Sequence, residues 1–85
     1  MKAQIIKHAV LTNAKYMAHA WYQKNDNGTY TVTYSIAWRK EVSTSGCIDT
    51  CQESVKNEMC ADILLNGFVE LLKEQYRVNI FSKNF

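Results

Sequence analysis

The chain contains no proline and only three glycines among 85 residues. Without proline there is no polyproline segment for an aromatic groove to read. With glycine this sparse there is no flexible linker or low-complexity tail. A long hydrophobic run is missing too. The longest uncharged apolar-rich stretch, Ile63 to Val69, is far shorter than the roughly 20 residues a bilayer span requires, so no membrane association is expected. A secretory leader is not expected either, because Lys7 and His8 interrupt the apolar stretch of MKAQIIKHAVLTNA. With 47% hydrophobic and 21% charged residues, the composition excludes an intrinsically disordered chain. The length suits one small domain spanning residues 1–85.

The modest formal charge of +2 conceals a division. Up to residue 40, six cations (Lys2, Lys7, Lys15, Lys24, Arg39 and Lys40) stand against Asp26 alone, a net +5. From Glu41 onward four cations face seven anions, a net −3. Both histidines, His8 and His19, lie in the basic half.

What is present most clearly is a hairpin. Lys15 to Lys24 and Thr29 to Trp38 flank Asn25-Asp-Asn-Gly28, and Asn27-Gly28 suits the positive φ angles of a type I′ turn. The same residues make Asn27-Gly28-Thr29 a glycosylation sequon, which is read here as turn chemistry. Along the second strand Tyr30, Val32, Tyr34, Ile36 and Trp38 alternate with Thr31, Thr33, Ser35, Ala37 and Arg39. A loop of two residues (27–28) or four (25–28) sets Met17, His19 and Trp21 beside the apolar row. His19 is then expected to be a core or edge histidine with a satisfied hydrogen bond. Tyr16, Ala18, Ala20, Tyr22 and Lys24 are expected on the opposite, outer face.

A helix is expected from about Thr50 to Gln75. Thr50-x-x-Glu53 fits a capping box, and Arg77 suits the C-terminal dipole. Asn66-Gly67 marks either a break or a close crossing over the sheet. Apolar residues fill about two-thirds of this helix's circumference, more than the ~100° that one sheet covers. Either further chain, such as the N-terminal segment, or another subunit is expected to cover the surplus, and Leu65, Phe68, Val69 and Leu72 are assigned to a homodimer or partner interface. Ala3 to Leu11 reads as a strand, although Ile6, Ala9 and Val10 also share a helical face. The strand is favoured because a two-stranded sheet is marginal. Tyr76 to Phe81 reads as a final strand. The fold class is α+β, a small antiparallel sheet in the order β-β-β-α-β packed against one long C-terminal helix.

Chemistry-bearing motifs are sparse. Cys47 and Cys51 form one pair with metal-ligand spacing, but Cys60 is unmatched and the two histidines are eleven residues apart. Buried cysteines acting as small hydrophobes are expected, and no metal. Cys51 in a first helical turn with His8 or His19 as base is the only nucleophile arrangement available, and neither histidine sits in a local motif. Glu53, Glu58, Asp62, Glu70 and Glu74 read as a solvated helix face, and no phosphate-cradling glycine loop is present. No catalytic residue and no cofactor are assigned. The odd cysteine count suits a reducing compartment, so a cytoplasmic location is expected.

The outer hairpin face carries the binding assignment. Tyr16 and Tyr22, with Lys24, Arg39 and Lys40 at the rim, suit a protein partner anchored by tyrosine and arginine. The leading expectation is a small non-enzymatic binding or inhibitory protein acting by protein–protein contact. Phages and other mobile elements encode proteins of this kind against host machinery. The alternative is a nucleic-acid-binding module, stacking bases on the tyrosines and neutralising phosphates with the cations.

Overall fold

Alternation of aromatic or β-branched residues with small hydroxyl residues makes Tyr30–Trp38 a strand, and its neighbours pair with it in sequence. The computed structural model describes residues 4–39 and 47–84. The elements are β1 (Gln4–Thr12), β2 (Tyr16–Lys24), β3 (Tyr30–Trp38), β4 (Cys47–Val55), α1 (Glu58–Tyr76) and β5 (Asn79–Asn84). The five strands form one antiparallel sheet in the order β4-β3-β2-β1-β5. The α+β expectation holds, with the helix packed on one side of the sheet. Of the expected first strand, Ala3 lies outside the described residues.

The hairpin register differs from the expected one. Lys24 pairs with Tyr30, so even-numbered residues of β2 stand beside even-numbered residues of β3. The Asn25 amide donates to the Thr29 carbonyl (2.8 Å), and the Gly28 amide donates to the Asn25 carbonyl (3.1 Å). These bonds close a three-residue loop, 26–28, that ends on Gly28 at φ +89°. An odd-numbered loop reverses the pairing parity that a two- or four-residue loop imposes. Tyr16, Ala18, Ala20 and Tyr22 therefore share the apolar face with Val32, Tyr34 and Ile36. Met17, His19 and Trp21 lie on the other face.

The helix differs at its start. Residues expected to form its first two turns are the edge strand β4, and Thr50 donates its hydroxyl to the Tyr34 carbonyl across the ladder (3.0 Å). Asn57 caps the helix, its Oδ1 accepting from the Cys60 amide at 2.9 Å. The helix runs through Gly67 without a break, and a Cβ at Gly67 would meet nothing within 4 Å. Gly67 is thus neither a break nor a close crossing. Arg77 ends the helix in the left-handed conformation at φ 60°. Asn13, in the β1–β2 turn, donates its side-chain amide to the Tyr76 carbonyl (3.0 Å) and satisfies a helix-end acceptor.

Burial explains the register. Ala9, Ala18 and Ala20 are all fully buried under the helix, and their small side chains let it lie close to the sheet. Leu65, Phe68, Val69 and Leu72 pack into that seat with Leu11, Val32, Tyr34 and Ile36. These four helix residues belong to the fold's own core and not to an oligomer interface. The excess apolar surface of the helix is instead at Met59 and Ile63, 72% and 66% exposed.

Polar ties lock the helix to the sheet. The Tyr22 hydroxyl shares its one proton between Glu58 (3.0 Å) and Asp62 (2.9 Å), and Lys7 donates to the same Asp62 oxygen at 2.6 Å. A β-bulge between Ile5 and Lys7 turns Lys7 to the helix side. Burial, followed by the hydrogen bonds to the two carboxylates, holds the Tyr22 phenol protonated well beyond the ordinary range. The Lys7 bond outweighs burial and keeps the Asp62 carboxyl below its usual value. On β3, Tyr34 donates to Asp49 (2.9 Å), and burial with that bond pushes its phenol up to about 12.

Candidate functional site

The helix covers one face of the sheet, and among the described residues no element covers the other. Which side chains lie on that open face follows from the pairing. His8 stands opposite Trp21, Val10 opposite His19, and Thr12 opposite Met17. Across the next ladder Met17, His19, Trp21 and Gln23 stand opposite Ala37, Ser35, Thr33 and Thr31. On β4 the series continues as Thr50, Gln52 and Ser54, and on β5 as Ser82.

No Lys, Arg, Asp or Glu occurs in that set. The five charged residues of the described strands are Lys7, Lys24, Asp49, Glu53 and Lys83. All of them pair with residues of the helix-side face. An antiparallel sheet facing water on one side ordinarily carries its polar residues, charged ones included, on that side. Here the distribution is reversed. The open face has an apolar and aromatic centre on β2, the middle strand, and a rim of hydroxyl and amide side chains on β3, β4 and β5.

At the centre, His8 Nε2 and His19 Nδ1 are 3.0 Å apart with their rings nearly parallel, and the edge of Trp21 meets the His8 ring. Burial first, and the neighbouring His8 second, lower the His19 imidazole below its ordinary value. His19 therefore enters the face as a neutral, hydrogen-bonded imidazole. Its hydrogen bond agrees with the expectation, whereas its expected place on the helix-packed apolar face does not.

The residues assigned to binding from sequence do not form one site. Tyr22 is fully buried, and Tyr16 is half-buried with its ring against Trp38 (5.0 Å) and Tyr76 (5.3 Å). Neither offers a free stacking surface. Lys24 and Arg39 are exposed, but they stand at opposite ends of the hairpin. That separation is roughly 25–30 Å for strands of this length. Lys40 lies outside the described residues. Ala18 and Ala20, between the two tyrosines, are fully buried under the helix.

Cys51 is half-buried against the core on the helix side of β4, and Cys60 is exposed on the helix. The expected burial thus fails for Cys60. Cys51 lies in a strand, away from any helix N-terminus, and across the sheet from both histidines. Among the described residues no group of three His, Cys, Asp or Glu is placed to hold a metal ion. No helix among the described residues is long and apolar enough to cross a membrane.

Fold and face together define a two-layer α+β protein with one sheet surface covered by the helix and one that the described residues leave uncovered. Comparison of the chain with protein-family models, curated proteins and solved structures returns no match in any of the three. Sequence reasoning missed the open face because it assumed an even loop. The signal was the confinement of charge in β1 and β2 to the positions of Lys7 and Lys24, leaving the row of Met17, His19 and Trp21 without any.

Proposed function

We propose that this chain is a small non-enzymatic binding protein acting by protein–protein contact, and that the open sheet face makes the contact. The observation that supports this reading is the charge-free open face, centred on Met17, His19 and Trp21 with hydroxyl side chains around them. Interface centres are depleted of charge and enriched in aromatic residues and methionine, within a polar rim. Occupying a partner's surface is also the means by which such a protein would inhibit it. A cytoplasmic location belongs to the same reading and suits the free thiols of Cys51 and Cys60. Nucleic acid is a poor partner for this face, whose described strand residues set no cation against phosphate, Lys15 and Arg39 standing beyond the strand ends.

The test is capture by immobilised chain from extracts of its own cells, comparing wild type with Thr33→Glu on the open face and Ile63→Glu on the helix. The captured protein, a second copy of this chain included, is expected with wild type and Ile63→Glu and lost with Thr33→Glu. Equal capture by Thr33→Glu contradicts the reading.

A further inference from the structure

We infer that the occupant of the open face is a second copy of this chain, so that two sheets stack face to face with a helix on each outer side. The inference rests on the open face being the contact surface and goes on to name the partner.

Three observations carry it. First, a two-fold interface must tolerate itself, each residue near the axis meeting its own copy. A face whose described strand residues include no Lys, Arg, Asp or Glu does so with no like-charge repulsion at its centre, whereas the helix exterior, with Glu70 and Glu74 exposed, does not. Second, the apolar row lies on β2, the third of five strands in the order β4-β3-β2-β1-β5. A two-fold axis in the plane of the interface, through the sheet centre and running along or across β2, therefore lays the row of Met17, His19 and Trp21 over the same row of the copy. The hydroxyl strands β3 and β4 fall at the rim. Third, the area is sufficient. Strands about 4.8 Å apart and rising about 3.3 Å per residue give a five-stranded face of roughly 600–700 Å². Two such faces bury about 1,200–1,400 Å², within the range of specific, stable interfaces. Sheets packed in this way lie ~10 Å apart, with their side chains interdigitating.

Sedimentation of the full chain over about a hundredfold range of concentration tests the inference. The wild type and Ile63→Glu are expected to form a dimer. Thr33→Glu, which puts an unpaired carboxylate into the contact beside the apolar row, is expected to weaken it at least ~100-fold with an unchanged circular dichroism spectrum. Gln52→Glu at the rim serves as a second variant and is expected to weaken the dimer in the same direction. A dimer that survives both substitutions overturns the inference, as does a wild-type chain that stays monomeric throughout. A monomeric chain that still captures a different protein through Thr33-dependent contact overturns self-pairing alone and leaves the proposed contact face standing.

Discussion

The hydroxyl of Tyr22 on β2 donates to the Asp62 carboxylate of α1 at 2.9 Å, and this bond joins the sheet to the first turns of the helix. Tyr22 is fully buried, and its ring packs edge-on against Tyr30 at 5.8 Å. A residue read from sequence as a surface anchor is a central tie of the fold.

Tyr22→Phe keeps that ring and removes both bonds to carboxylates. Hydrogen bonds to charged groups contribute about 1.5–3 kcal/mol when buried, and Glu58 and Asp62 retain access to water. The expected loss is about 1–2 kcal/mol, read as a lower urea midpoint with an unchanged m-value. Asp62 keeps Lys7 as a partner in the variant, which limits the loss.

Acid should weaken the protein in two steps with one sign. His19 has a folded-state pKa below its ordinary 6.5, and Asp62 one below its ordinary 3.8. In each case the unfolded chain binds the proton first, so the stability from the group is full above its ordinary value and falls as pH drops toward the lowered one. The His19 step begins near 6.5 and is separate from the Asp62 step, which begins near 3.8. His19→Gln is expected to flatten the fall of the unfolding midpoint that begins near pH 6.5 and to leave the lower step in place. Urea titrations at each pH read both.

Facing can be tested on adjacent residues. Ala20 is fully buried beneath the helix, whereas Trp21 is half-buried on the open side. Ala20→Leu forces extra methylenes into the helix seat, with an expected cost of about 2–3 kcal/mol. Trp21→Leu is expected to cost the folded monomer less than about 1 kcal/mol. At dilutions where the chain is monomeric, the reverse order in thermal unfolding would require the opposite register.

Gly67 sits exposed within the helix with open space where a Cβ would project. Gly67→Ala is expected to stabilise by about 1 kcal/mol through helix propensity alone. That gain reads as a higher melting temperature.

The strands at both ends of the hairpin were legible because alternation over nine residues leaves little choice of secondary structure. Their facing was not, because both faces of β2 carry apolar side chains, Tyr16 and Tyr22 on one and Met17 and Trp21 on the other. Only the loop decides the parity, and Asn27-Gly28 suits a two-residue turn as readily as the observed three-residue loop. Strand β4 was missed for a different reason. Thr50 and Glu53 imitate a capping box, while an edge strand mixes Asp49 and Glu53 into its inward side and blurs the alternation. The poor helix propensity of Ile48, Thr50, Cys51 and Val55 was the available signal. Asn57, three residues before Cys60, marked the true start.

Hydroxyl-radical footprinting tests the central claim, self-contact through the open face, most directly. Met17 and Trp21 lie on that face, and Met59, 72% exposed on the helix, is the internal control. Concentrated and dilute samples of the wild-type chain are compared by mass spectrometry. The account predicts that Met17 and Trp21 become protected as the chain is concentrated, while Met59 stays reactive. Protection at Met59 with Met17 and Trp21 unchanged would contradict it.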